Sequence, residues 1–111
     1  MELNSIEEVV EDLKKGKCVV IMDDENRENE GDVICAAEFA TTENVNFMAS
    51  YAKGLICMPM APEYTDKLHL PQMCITNTDN HCTAFSVSVD HVSTTTGISA
   101  YERGITARKF V

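Results

Sequence analysis

The run Asp23-Asp24-Glu25-Asn26-Arg27-Glu28-Asn29-Glu30-Gly31-Asp32 places six carboxylates around a single arginine. It follows the apolar stretch Cys18-Val19-Val20-Ile21-Met22 and precedes Val33-Ile34-Cys35. Short apolar runs on both sides of a polar segment read as two strands joined by a loop. Crowded anions repel one another, which raises carboxyl pKa values. A cation or a polar ligand relieves that cost, so the loop is where a divalent metal and a hydroxylated substrate are expected. Hard cations such as Mg²⁺ take carboxylate oxygens and keep waters that substrate atoms replace. Arg27 offers a planar donor fork to a substrate oxygen or to a neighbouring carboxylate. Gly31 lets the backbone turn closely. A solvated charged loop accounts for the same residues with no ligand at all. The Asp-x-Asn-x-Asp-Gly pattern of a calcium hand is absent.

Working outward, Ser5-Ile6-Glu7-Glu8 reads as a capping box. Ile6, Val9, Val10 and Leu13 follow on one helical face, and Gly16 stops that helix. Strands are expected over Cys18–Met22 and Asp32–Ala37. Thr42 caps a second helix whose apolar face is Val45, Met48, Ala49 and Ala52, with Gly54 at its end. Leu55-Ile56-Cys57-Met58 reads as a buried strand stopped by Pro59 and Pro62. One helical turn is expected from Tyr64 to Leu68, and residues 71–83 are polar and irregular. Ala84-Phe85-Ser86-Val87-Ser88-Val89 alternates with period two, as a half-exposed strand does. Thr94-Thr95-Thr96-Gly97 is a polar turn. Ser99-Ala100-Tyr101-Glu102 is a second capping box, opening a helix near Ala100 that Gly104 weakens and that reads on to Val111. Helices alternating with strands define an α/β or α+β class.

With 111 residues the chain suits a single domain. A formal net charge of −9 argues against nucleic acid or an anionic membrane as partner. The five cysteines are odd in number and no two share a C-x-x-C spacing. They read as reduced, mostly buried thiols of a cytoplasmic protein, not as a zinc site or a disulfide framework. Residues 1–15 are acidic and amphipathic, unlike a signal peptide, and the apolar runs are too short to span a bilayer.

Cys57 would need a partner base to act as a nucleophile, and no spacing ties it to His69, His81 or His91. A buried structural cysteine fits it better. The hydroxyl-rich turn before the helix at Ala100 is a plausible anion site, although simple capping explains the same residues.

Taken whole, the run from Asp23 to Asp32 resembles the signature of 3,4-dihydroxy-2-butanone 4-phosphate synthase, an enzyme family of riboflavin biosynthesis. Thr41-Thr42-Glu43-Asn44-Val45-Asn46-Phe47-Met48 and Lys53-Gly54-Leu55-Ile56-Cys57-Met58-Pro59-Met60 look like its next segments. Asn77-Thr78-Asp79-Asn80-His81 and Thr95-Thr96-Gly97-Ile98-Ser99-Ala100 match in order. The likeness is closest to the synthase half of bacterial proteins that also carry a GTP cyclohydrolase II domain. It implies a synthase-type fold, a mixed sheet flanked by helices. It also implies a lyase that converts D-ribulose 5-phosphate to 3,4-dihydroxy-2-butanone 4-phosphate and formate with Mg²⁺ or Mn²⁺, working as a cytoplasmic homodimer. Carried over by position, Glu28 is a metal ligand, and Arg27, Glu28 and Asp32 contact substrate. Glu28, Glu30 and Asp32 serve the proton transfers. Cys57 is an active-site residue, and Thr96 lies toward the phosphate. Family members are longer. Their later part holds a Gly-His-Thr-Glu motif, whose histidine is the other protein ligand to the metal, and a further catalytic glutamate. The resemblance therefore makes residues 1–111 the N-terminal portion of a synthase domain, and a binding fragment without activity is the alternative. Thr76 stands where an asparagine is usual, and Glu102 where aspartate is common.

Overall fold

The computed structural model describes residues 3–111. The first helix, α1, spans Ile6–Lys14. Ser5 Oγ accepts the Glu8 N–H, and the Glu8 carboxylate accepts the Ser5 N–H at 2.9 Å, so both halves of the capping box form. Gly16 follows the C-cap at φ +77°, a left-handed conformation that glycine adopts at little cost. Strands β1 (Val19–Met22) and β2 (Gly31–Ile34) pair antiparallel, with Val19 opposite Ile34 and Met22 opposite Gly31. The acidic run is the closed end of this hairpin. The left-handed residue in it is Asn29 (φ +52°), not Gly31. Gly31 instead leaves room for the thioether of Met22, which a Cβ would meet at 2.8 Å.

Thr41, one residue before the expected cap, starts α2 (Thr42–Phe47), and its Oγ1 accepts the Asn44 N–H at 3.2 Å. The helix widens into a π-turn over Met48–Ala52 and ends at Lys53, φ +60°, one residue ahead of Gly54. Helix α3 (Pro62–Lys67) begins earlier than Tyr64, because Pro62 fits the first turn. Helix α4 spans Ala100–Arg108 and stops short of Val111.

The class of helices with a sheet is as expected, but the sheet is narrower than the apolar runs suggest. Its two strands are the antiparallel hairpin. Leu55–Met58 forms no strand, and Leu55 is 78% exposed. Ala84–Val89 forms only the bridge from Ser86 to Gln72, flanked by Met73 N–H to Phe85 O (2.8 Å) and Val87 N–H to Pro71 O (3.1 Å). An apolar run becomes a strand only where a ladder partner meets it. No cysteine is buried either: Cys18 and Cys35 are half-buried, while Cys57, Cys74 and Cys82 are exposed.

The backbone gathers into two units. One is Met1–Ile56 with Asp90–Val111, and the other is Cys57–Val89. The first holds α1, the hairpin, a 3₁₀ turn at Ala37–Phe39, α2 and α4; the second holds α3 and the Gln72–Ser86 bridge. In the first unit α4 packs on α2 and on the 3₁₀ turn. Ala40 (5% exposed) and Val45 (3%) are its buried apolar side chains. Asn44 Nδ2 ties this region together by donating to Gly16 O (3.0 Å) and Phe39 O (2.8 Å). The Ala40 carbonyl accepts from Arg108 Nη1 and faces the buried Gly104.

Gly104 is thus a point of close approach, and a Cβ there would lie 2.5 Å from Ala40 O. Alanine ordinarily gains about 1 kcal/mol over glycine inside a helix. Overpacking costs about 1–3 kcal/mol and here falls on backbone, so it outweighs that gain. Gly104→Ala is expected to lower the urea midpoint without changing the slope of the transition.

Candidate functional site

Asp23 organises the acidic loop. Its Oδ1 accepts the Glu30 N–H at 3.0 Å, and its Oδ2 accepts the Glu28 N–H at 3.1 Å and Arg27 Nε at 2.8 Å. The Asp23 N–H itself donates to Glu30 O at 3.2 Å, extending the hairpin by one pair. Its side chain is only 18% exposed. Asp24 makes the tighter turn inside the loop, accepting from Asn26 N–H (2.8 Å) and Asn26 Nδ2 (2.9 Å). Arg27 spans two carboxylates, reaching Asp23 with Nε and Glu28 Oε2 with Nη2 at 3.0 Å. The fork expected for a substrate oxygen is therefore engaged with neighbouring acids. Partial burial pushes the Asp23 carboxyl up, but the N–H groups of Glu30 and Glu28 and the guanidinium of Arg27 outweigh it. The net direction is down, the reverse of what crowding alone predicts.

Arg27, Glu28 and Glu30 are thus brought together through Asp23, whose role the sequence did not single out. An acid at the mouth of a hairpin, ahead of several loop N–H groups, was the available signal. Asp32 stands on β2 opposite Ile21 and is exposed.

Thr96 lies in a separate turn of the same unit, and that turn is built on Glu102. Glu102 Oε1 accepts Thr95 N–H (2.6 Å) and Thr95 Oγ1 (2.8 Å), while Oε2 accepts Gly97 N–H (2.9 Å). Ser99 Oγ accepts the Glu102 N–H at 3.1 Å, so half of the expected capping box forms and the glutamate turns to the loop instead. The anion held by these N–H groups is the protein's own carboxylate. Donation from Thr95, and also from Gly97 and Thr96, holds the Glu102 carboxyl below its ordinary range.

In the second unit Cys57 is exposed, which overturns its expectation as a buried structural thiol. Asp79 Oδ2 accepts the N–H groups of Thr83 (3.1 Å) and His81 (3.0 Å), and Asn77 Nδ2 donates to Thr83 O (2.9 Å). These donors hold the Asp79 carboxyl below its ordinary range against partial desolvation. A shallow cavity of about 250 Å³ beside this loop is lined by Met73, Asn77, Asp79 and Phe85 among others.

The carboxyls of Asp23, Asp79 and Glu102 all have folded-state pKa values below their unfolded ones. Their stabilisation is fully present above the ordinary carboxyl range and is lost as pH falls through the depressed values. The urea midpoint is expected to be flat above about pH 5 and to fall steadily below about pH 4.

The donor set around Glu28 is hard oxygen, the chemistry that Mg²⁺ takes. Among the described residues no three His, Cys, Asp or Glu side chains gather into a metal-holding group. The Glu28 carboxylate is of the type such a cation takes, and it is held by Arg27 Nη2 at 3.0 Å. No described helix is long and apolar enough to cross a membrane.

The chain belongs to the 3,4-dihydroxy-2-butanone 4-phosphate synthases, whose family model matches residues 7–111. Among individual proteins, it is 57% identical over 106 residues to the riboflavin biosynthesis protein RibBA of Bacillus mycoides. That match covers 96% of this chain and 27% of the relative. A crystal structure of 3,4-dihydroxy-2-butanone 4-phosphate synthase in complex with two magnesium ions superposes with a TM-score of 0.91 at 49% identity. It is matched over 97% of this chain and 51% of its own. RibBX of A. baumannii, a two-domain synthase, gives a TM-score of 0.86 at 42% identity over 97% of this chain and 32% of its own.

Proposed function

We propose that this chain contributes the acidic half-site of a lyase that converts D-ribulose 5-phosphate to 3,4-dihydroxy-2-butanone 4-phosphate and formate. The observation that carries the proposal is the family match over residues 7–111 together with an acidic loop already ordered by Asp23 and Arg27. Glu28 holds a divalent cation, Mg²⁺ or Mn²⁺, through its carboxylate. When bound, such a cation polarises adjacent substrate oxygens as a Lewis acid. Glu30 and Asp32 take and return protons beside the carbonyl, and enolisation and loss of water need groups of that kind. Arg27 holds Asp23 with Nε and Glu28 with Nη2, and its Nη1 is the donor left to contact the substrate. Thr96 offers its hydroxyl to the phosphate, and Cys57 is assigned to the site by matching position alone. The working protein is a cytoplasmic homodimer.

The test joins this chain in frame to the remainder of a synthase domain from one of the proteins it matches. Formate release from D-ribulose 5-phosphate with Mg²⁺ is expected, along with its loss in Glu28→Gln. A folded chimera that releases no formate would sink the assignment.

A second reading, a metal- or sugar-phosphate-binding module without turnover, rests on the absence of the family's Gly-His-Thr-Glu motif from these 111 residues. Calorimetric titration of the chain itself with Mg²⁺ and D-ribulose 5-phosphate separates the two. Heat of binding without formate supports the module, and no heat at all counts against it.

A further inference from the structure

The hairpin ladder ends with Val19 opposite Ile34, and the same register carried one position toward the open end would set Cys18 opposite Cys35. Paired positions in an antiparallel ladder alternate between hydrogen-bonded and non-hydrogen-bonded types. The Asp23 N–H to Glu30 O bond marks that pair as hydrogen-bonded. Counting from it through Met22–Gly31, Ile21–Asp32, Val20–Val33 and Val19–Ile34 makes Cys18–Cys35 a non-hydrogen-bonded pair. Such pairs hold their Cα atoms about 4.5 Å apart with side chains close, at the short edge of the roughly 4.4–6.8 Å range that a disulfide spans. Both thiols are half-buried, and they lie close enough to influence each other's ionisation.

We propose that Cys18 and Cys35 form a reversible cross-strand disulfide site that locks the hairpin bearing the acidic loop. The co-reactant is a low-molecular-weight disulfide. One protein thiolate attacks it and forms a mixed disulfide, releasing one small thiol. The second protein thiol then displaces the other small thiol and closes the Cys18–Cys35 bond. Two protein thiols are oxidised, one small disulfide is reduced, and the two protons leave on the two small thiols.

Burial pushes both thiols above their ordinary range. Either sulfur can open the exchange, and its neighbour then closes the bond. Closure at this position ties together the open end of the hairpin, whose other end carries Glu28 and Asp32. Cys74 and Cys82 are exposed and are expected to stop at mixed disulfides.

The test treats the reduced chain with oxidised glutathione, quenches with acid, alkylates and maps peptides under non-reducing conditions. The expected product is a peptide pair joined through Cys18 and Cys35, reopened by dithiothreitol. In Cys35→Ser, Cys18 is expected to stop as a glutathione adduct. Amide exchange in Val19–Met22 and Gly31–Ile34 is expected to slow on oxidation of the unmodified sequence. Recovery of Cys18 and Cys35 separately alkylated, or linked to other cysteines, overturns the site. Linkage without slower exchange overturns the locking role.

Discussion

Asp23→Ala is expected to cost the synthase-length chimera at least about 100-fold in kcat/KM, because misplacing positioned groups by about 1 Å has effects of that size. The substitution removes the acceptor for three donors at once: the N–H groups of Glu28 and Glu30 and the Nε of Arg27. Arg27 then keeps Glu28 as its ion-pair partner but loses the anchor that fixes the pair to the hairpin. Stability falls as well, since each of the three lost hydrogen bonds contributes about 0.5–1.5 kcal/mol net. The predicted signature is therefore a lowered urea midpoint together with a rate that stays severely reduced under conditions where the chimera is fully folded. Asp23→Asn is expected to be almost as damaging. One of its oxygens survives, but the amide nitrogen would present donors to donors. Retention of activity within about tenfold in Asp23→Ala would remove Asp23 from the positioning role.

The sequence specified what depends on local chemistry. Ser5 with Glu8, the glycine at 16, the strand Val19–Met22 and the cap at Ser99 formed close to where composition placed them, because each is decided within a few residues. Misplacements of one residue, such as Thr41 for Thr42, arise where two adjacent threonines can serve the same N–H. Non-local pairing was not visible. Leu55–Met58 has the composition of a buried strand and is irregular and exposed, because an apolar run states a preference for burial and names no partner. At the candidate site the residue types were visible and their wiring was not. Nothing in the spacing distinguishes Asp23, which holds the loop, from Asp24, which holds one turn of it. Glu102 was read as a partner of Ser99, yet its carboxylate serves Thr95 and Gly97. Both cases involve an acid with several N–H groups in reach, a choice that only the folded backbone settles.

Gly97→Ala is expected to be the most destabilising single-atom addition in the Thr94–Ser99 turn, by about 2–3 kcal/mol. Gly97 is buried, sits at φ +69° and donates its N–H to Glu102 Oε2. Two separate costs arise. The left-handed backbone costs an L-residue about 1–2 kcal/mol. The new Cβ would also overlap the carboxylate of Asp90, which must rotate away. A double-mutant cycle with Asp90→Ala separates them, since residues in contact couple and their effects do not add. The side-chain part should be recovered in the double variant and the backbone part should remain. Gly97→Asn tests the backbone part from the other direction, because asparagine tolerates the left-handed region better than alanine does. The ranking of urea midpoints for the backbone term should therefore place glycine above asparagine and asparagine above alanine once Asp90 is removed. If Asp90→Ala restored Gly97→Ala completely, steric overlap would be the whole effect. The positive φ would then be a consequence of the Glu102 bonds and not a requirement for them.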